Sequence, residues 1–428
     1  MVKIAILGYG TVGEGIARVL EQNRTYVERK AGQPIAVKRV LDIRDFPADD
    51  PVTPLLTTNF DEILADSEIT IIAEAMGGTH PAYDYVKRAL QAGKHVCTSN
   101  KELVIKHGAE LLALGKQMNR SFLFEASVGG GIPVIRPINT SVTNDEILAV
   151  SGILNGTSNY MLSQMFHFGK SYADALKKAQ ASGYAEQDPI ADVGGFDACR
   201  KLAILLSLVT QQQVDFEDIH TEGITELDSA DFDFARAFGF TLKPMVNGII
   251  TDKGISAISA PMLVYHLHPL ATVNDVFNGV MLQGATNGNV MFYGQGTGKM
   301  PTASSVVTDI ADIVKHFDSH IPHQWSQQKN TVLPIANYVT RKMIRIFYEY
   351  PAFKKENLRT VIGSGTQLMA LPEYHGFLAW LTPPQTEAET EAELAQLSEV
   401  PGVKAVERII RIYDPAEVDA TVRKAMFT

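Results

Sequence analysis

Two cysteines, Cys97 and Cys199, are all that the 428 residues contain. So few thiols exclude a disulfide framework and a cysteine-based zinc pattern. Basic residues are also outnumbered, 38 Lys and Arg against 48 Asp and Glu, for a net charge of −10. That balance speaks against a nucleic-acid partner, whose phosphates call for a basic face. No apolar run approaches the roughly 18 residues of a membrane span, so no membrane partner is expected. The opening "MVKIAILGYG" carries no cleavable signal pattern, which makes the cytoplasm the expected location. What remains is a composition of 45% hydrophobic and 20% charged residues, ordinary for a globular protein. The length suits two or three domains of roughly 100–200 residues each.

Short β-branched runs alternate with helical patterns over the first third of the chain. "KIAILG", "IAVKRVLDI", "ITIIAEAM", "HVCTSN" and "SFLFEAS" read as strands, with segments such as "AYDYVKRALQAG" between them as helices. The spacing predicts an α/β fold built on a doubly wound parallel sheet. From about Pro133 the texture becomes α+β, with long helices and antiparallel-looking strands such as "MVNGIITDKGISAISA". "TASSVVTDIADIVKHF" predicts a helix that returns to the first domain. "SHIPHQWSQQKNTVLP" is polar and proline-containing and reads as a linker, and the tail from about Tyr338 follows the order βαββαβ. Thr386 or a nearby residue is the expected cap of its acidic helix.

Gly8, Gly10 and Gly13 form GxGxxG between a strand and a helix. The first allows the tight turn, the second lets a pyrophosphate approach the backbone, and the third lets helix and strand pack closely. At the end of the second strand Asp42 suits the ribose of NAD, while Arg39 or Arg44 suits a 2′-phosphate. Lys101 in "TSNKE" stands at a strand's carboxyl end, either reaching a ligand or solvated in a loop. "EASVGGGIP" combines the Glu125 carboxylate with bare backbone, fit for a hard monovalent cation or for a domain crossover. In "ILNGTSNYML" an Asn155-Gly156 turn precedes a cap at Thr157 or Ser158, and its free N–H groups suit a carboxylate.

The densest signal is "GYAEQDPIADVGGFDACRKLAIL", Gly183 to Leu205. A helix starting near Asp197 sets Asp197 and Lys201 on one face, with Leu202, Leu205 and Leu206 drawing the next turns into the core. An exposed pair at that spacing is worth only about 0.2–0.5 kcal/mol. A partly buried lysine held by a carboxylate is instead an acid/base device. The other reading is a surface salt bridge.

These segments, with "GQGTGKMPTASSVVTDI", resemble the homoserine dehydrogenase family over about residues 1–320. The resemblance implies NAD(P)-dependent interconversion of L-homoserine and L-aspartate 4-semialdehyde, on the route to threonine and methionine. It implies proton transfer by Lys201 and Lys101 beside Asp197. Glu186, Asp192, Asp197 and Tyr184 match substrate-binding positions, and Gly156 and Thr157 face the substrate carboxylate or the nicotinamide. Cofactor contacts fall to Gly8, Gly10, Thr11, Val12, Gly13, Arg44, Thr98, Lys101 and Gly298. Glu125, Val128, Gly130 and Ile132 match a sodium site, all but Glu125 through carbonyls. The expected domains are a Rossmann-type domain at 1–132 and about 300–320, and a catalytic and oligomerisation domain at 133–299. A linker at 321–337 and an ACT-like domain at 338–428 follow. The family's dimer seam implies a homodimer or larger even oligomer. The tail lacks the glycine of the family's ligand-binding turn, and a separate core there implies that residues 1–335 suffice for activity.

Two other readings compete. A related dehydrogenase that used a cysteine nucleophile would need Cys97 or Cys199 in a reactive setting. A non-catalytic NAD(P)- or amino-acid-binding sensor would keep the glycine loop but have no use for Lys201.

Overall fold

Five of the six residues of β1 (Val2–Leu7) are buried, as a strand covered on both faces must be. Along the chain follow α1 (Thr11–Gln22), α2 (Arg24–Ala31), β2 (Ile35–Leu41), β3 (Leu56–Thr57), α3 (Phe60–Ala65) and β4 (Ile69–Glu74). Then come α4 (Ala82–Gln91), β5 (His95–Thr98), α5 (Lys101–Gln117), β6 (Phe122–Leu123) and α6 (Ile135–Thr140). The strands pair in parallel in the order β3-β2-β1-β4-β5-β6. This is the expected doubly wound sheet, and its direction of winding reverses between β1 and β4. The computed structural model describes residues 1–414, so the last part of the expected tail, 415–428, lies outside the described residues.

The chain divides into two compact units. The first comprises Met1–Glu146, Arg200–Phe216 and Met291–Asn330. Helix α12 (Lys299–Lys315) returns to it as expected, burying Ala303, Val306, Ile310 and Ile313. A Cβ added at Gly15 of α1 would come within 2.9 Å of Ala303, so that glycine sets how closely the two helices pack. The expected strand "SFLFEAS" is shorter than its pattern: a 3-10 turn takes over at Glu125–Ser127. The expected linker is ordered as part of this unit up to Asn330. Trp325 is buried against Gly108 of α5 and donates to Gln213 Oε1 at 3.0 Å. Beside it β14 (Ser326–Lys329) pairs in parallel with β8 (Gln212–Gln213). Its polar residues find backbone partners, which composition alone does not reveal.

His95 of β5 is buried, its Nδ1 accepting from Ser121 N at 3.0 Å while Nε2 lies 3.2 Å from Phe317 O. That pattern requires a neutral ring with the proton on Nε2, and burial pushes its pKa down to about 4. A depressed folded pKa contributes stability above the unfolded value near 6.5, lost as pH falls toward 4. His95→Gln keeps an acceptor and a donor without titrating. Urea unfolding of this variant is expected to lose less stability than wild type between pH 6.5 and 4. Parallel curves for the two proteins would contradict this assignment.

The second unit comprises Ile147–Cys199, Glu217–Val290 and the chain from Thr331 onward. It opens with β7 (Ile147–Ile153), α7 (Gly156–Phe168), α8 (Tyr172–Ala181) and α9 (Ile190–Val193). Helix α10 (Phe196–Thr210) starts where expected and carries the chain into the first unit at Arg200. After β9 (His220–Thr221) and α11 (Ser229–Ala237) come β10 (Phe240–Thr251), β11 (Gly254–Tyr265), β12 (Phe277–Gly284) and β13 (Gly288–Gln295). The tail adds β15 (Val339–Thr340), β16 (Lys342–Tyr348), α13 (Lys355–Ile362), β17 (Leu368–Met369), β18 (Phe377–Leu381), β19 (Gln385–Thr386), α14 (Glu387–Ser398) and β20 (Val403–Tyr413). Thr386 caps α14 in a capping box with Glu389, as expected.

Apart from the paired two-residue strands β15 and β19, the tail has the expected βαββαβ order, but it does not stand apart. The sheet runs β12-β7-β10-β11-β20-β16-β18-β17, and β20 joins β11 in parallel at Met262↔Arg411 and Leu263↔Ile412. Side chains alternate across a strand, so the tail's strands have two faces to cover. Ile344, Ile346, Leu378 and Trp380 form one core with Leu358 and Leu397 of α13 and α14. Met343, Ala379, Ile410 and Ile412 join a second core with Tyr160, Met161, Leu242 and Leu263. Ion pairs from two buried arginines reinforce the join. Arg345 donates to Asp228 at 2.8 Å and Asp231 at 3.0 Å, and Arg411 pairs with Glu222 at 2.8 Å and Glu387 at 2.9 Å. The boundary expected near residue 338 is therefore not a division in the structure.

Candidate active site

In the first unit the three glycines of the β1–α1 turn have different jobs. Gly8 has φ +87°, and a Cβ there would meet Met76 at 2.9 Å; one at Gly13 would stand 1.9 Å from the Gly8 carbonyl oxygen. Packing alone requires both. Around Gly10 nothing lies within 4 Å of the position a Cβ would take. That open space, at a helix N-terminus with no side-chain cap, is what an approaching pyrophosphate needs. Thr11 and Val12 open α1 behind it.

Asp42 follows β2 and accepts from Tyr9 N at 2.7 Å and from Arg44 through N, Nε and Nη2 at 3.0, 2.9 and 2.8 Å. The guanidinium of Arg44 holds the Asp42 carboxyl well below the usual range, against the opposing effect of burial. The side chain of Arg44 is 55% exposed, while Arg39 turns to the Lys38 carbonyl at 3.0 Å. Asp42 and Arg44 thus form one ion pair.

At the carboxyl ends of β4 and β5 lies a buried polar cluster. Glu74 accepts from Thr98 Oγ1 at 2.5 Å and from Met76 N at 2.7 Å. Asn100 donates to the Gly78 carbonyl at 2.6 Å and caps α5 by accepting from Leu103 N at 3.1 Å. Lys101 is the first residue of that helix. Gly298, at φ +117°, precedes α12.

The carboxylate of Glu125 accepts from Val134, Ile135 and Arg136 N–H groups at 2.6, 2.9 and 2.6 Å, so it caps α6. Three hydrogen bonds leave that carboxylate further acceptor capacity. Gly130, at φ +57°, accepts at its carbonyl from Ser305 Oγ at 2.6 Å. Val128 and Ile132 are buried in the same loop. Among the described residues no group of three His, Cys, Asp or Glu side chains could hold a metal.

In the second unit Asn155 organises the acidic stretch. Its Nδ2 donates to Asp192 Oδ1 at 2.7 Å and to Asp197 Oδ2 at 2.9 Å, while its Oδ1 accepts from Ser158 N at 2.8 Å. The cap of α7 therefore joins two candidate substrate acids. Asp197 is buried, and Lys201, one turn further along α10, is partly buried. Asn155 takes the Ser158 amide, leaving those of Gly156 and Thr157 as the remaining first-turn donors. The Thr157 hydroxyl donates to the Tyr184 carbonyl at 2.6 Å, and the Tyr184 ring meets Tyr160 edge-on at 4.9 Å. Glu186 is exposed on the connecting loop, outside the Asn155 network. Cys97 and Cys199 are both buried, and burial pushes the Cys97 thiol well up. Neither has the setting of a nucleophile.

A family profile described as "Homoserine dehydrogenase, NAD binding domain" matches residues 8–125, and one described as "Homoserine dehydrogenase" matches residues 133–311. The homoserine dehydrogenase of Mycobacterium tuberculosis is 40% identical over 352 residues, covering 79% of each chain. The chain belongs to the homoserine dehydrogenase family. The homoserine dehydrogenase of Synechocystis is 36% identical over 437 residues, covering 96% of this chain and 99% of its own. The crystal structure of a homoserine dehydrogenase from Thiobacillus denitrificans superposes with a TM-score of 0.88 at 33% identity, covering 96% of this chain and 98% of that one. As a homoserine dehydrogenase, the chain is an NAD(P)-dependent oxidoreductase interconverting L-homoserine and L-aspartate 4-semialdehyde. Sequence reasoning missed the parts played by Asn155, which caps α7 in place of the expected Thr157 or Ser158, and by Asn100 and Glu74. Both asparagines stand immediately before helices, where asparagine caps. Glu74 gave a weaker signal, a lone carboxylate ending an apolar strand.

Proposed function

We propose that Lys201 accepts the hydroxyl proton of homoserine, with Lys101 as the second proton-transfer group and Asp197 holding the lysine. Asp192, Asp197, Glu186 and Tyr184 recognise the substrate ammonium end, and the Gly156 and Thr157 amides its carboxylate. The observation that carries this reading is Asn155, which joins buried Asp197 to Asp192 one helical turn ahead of Lys201. Two carboxylates on one amide suit an ammonium better than a surface salt bridge would require.

Gly8, Gly10, Thr11, Val12 and Gly13 seat the dinucleotide, with Asp42 or Arg44 at the ribose and Thr98, Lys101 and Gly298 toward the nicotinamide. The bound cofactor supplies the hydride acceptor; the chain supplies position and a proton path. Glu125, with the carbonyls of Val128, Gly130 and Ile132, forms a seat for a sodium ion. Homodimeric or larger even assembly, a cytoplasmic location and a place in threonine and methionine synthesis belong to the same proposal. So does an ACT-like role for the tail. The test is homoserine oxidation with NAD and NADP in turn, in wild type and Gly10→Val. Because the space at Gly10 is open, the valine variant is expected to fold and to lose cofactor binding. Unchanged affinity in Gly10→Val would refute the glycine-loop assignment, and no turnover with either cofactor would refute the catalytic one.

A further inference from the structure

Glu74 is fully buried at the end of β4, and its backbone stands in register with Leu7 of β1 and Thr98 of β5. Leu7 precedes the glycine turn and Thr98 opens the "TSNKE" segment, so Glu74 occupies the switch point of the sheet. Every partner of its side chain is a donor: Thr98 Oγ1, the backbone N–H groups of Met76 and Gly77 and, at 3.5 Å, Asn100 Nδ2. Thr98 Oγ1 itself accepts from Asn100 N at 2.9 Å, which directs its proton to Glu74. Burial pushes the Glu74 pKa up, these donors oppose that shift, and a group surrounded only by donors takes them as an ionised carboxylate. Among the described residues no cation pairs with it.

A buried carboxylate without a counter-charge is costly, and proteins normally pair or neutralise it. The dinucleotide lies across the crevice outside the carboxyl ends of the strands. With its ribose end at Asp42 and its pyrophosphate at Gly10, its other half extends over β4 and β5. Next to Glu74 stand Gly77 and Gly78, at φ +79° and +67°, with nothing within 4 Å of either Cβ position. The nicotinamide ring is cationic when oxidised and neutral when reduced. We propose that Glu74 is the fixed counter-charge of the oxidised nicotinamide, so that it discriminates between the oxidised and reduced forms of the cofactor. This rests on the cofactor placement given above.

The test is equilibrium binding, which is independent of turnover. For wild type, Glu74→Gln and Glu74→Asp, dissociation constants are measured for the oxidised cofactor, the reduced cofactor and ADP-ribose. Glu74→Gln is expected to weaken the oxidised form by about 5–10-fold, the order of one unit charge in a partly desolvated site. The reduced form and ADP-ribose should change less than about twofold, and Glu74→Asp should keep the wild-type ratio. Equal weakening of both cofactor forms, or no change, would overturn the inference. Should Glu74→Gln fail to fold, the wild type still decides. Adding the oxidised ring to ADP-ribose must raise affinity more than adding the reduced ring, and an equal or smaller gain overturns the proposal. Failure of wild type to bind all three ligands would instead overturn the cofactor placement.

Discussion

Lys201→Ala is expected to lower kcat for homoserine oxidation by about 10²–10⁴-fold, the usual cost of a lost general acid/base. Cofactor affinity and thermal stability should stay close to wild type, because Lys201 is only partly buried. Asp197→Asn should have a mixed effect, since the carboxylate proposed to hold the lysine also accepts from Asn155 at 2.9 Å. Glu186→Ala, on an exposed loop, should mainly raise KM for homoserine. Stopped-flow measurement of hydride transfer separates these effects from product release. Near-normal kcat in Lys201→Ala would return the pair to the status of a helix salt bridge.

Removal of the chain beyond residue 335 is expected to abolish soluble expression rather than release an active core. The deletion would strip the backbone pairing of β11 from Met262 to Val264 and bare Leu263, Tyr160 and Met161. It would also leave Asp231 buried without Arg345 and Arg408, its charge balance removed. Breaking one member of such a buried set typically costs about 3–5 kcal/mol. Even with those arginines present, burial raises the Asp231 pKa to about 6. Arg345→Met in the full chain should lower unfolding stability by that same order, readable by chemical denaturation. A soluble 1–335 fragment with wild-type kcat would show that the shared core is dispensable.

The first unit was readable because its signals are local. A β-branched run, a glycine turn and an amphipathic helix lie within some twenty residues of one another, and each restricts its neighbour. The onset of α10 near Asp197 and the Thr386 cap were readable for the same reason. The attachment of the tail was not. Leu263 and Ile412 are partners, yet nothing in either strand names the other. Glu125 illustrates a different limit: its residue type suggested a cation ligand, but did not disclose that three amides of a later segment donate to the carboxylate. Glu74 and Asn155 acquire their meaning from partners on other elements. Polar residues disclose where a turn or helix begins more readily than whom they serve.

Each unit is assembled from three separate stretches of chain, which constrains the order of events during synthesis. The Rossmann sheet of the first unit has all its strands once residue 123 is made, but α12 arrives only after residue 299. In the second unit the Met262–Val264 end of β11 must wait for β20, about 150 residues later, before its edge is paired. Closing so long a loop delays native contacts. For that interval β11 presents unpaired backbone and apolar side chains, the kind of edge that recruits neighbouring chains. A nascent chain stalled anywhere between the two strands would therefore be a substrate for chaperones or for aggregation, even with its dinucleotide fold already in place.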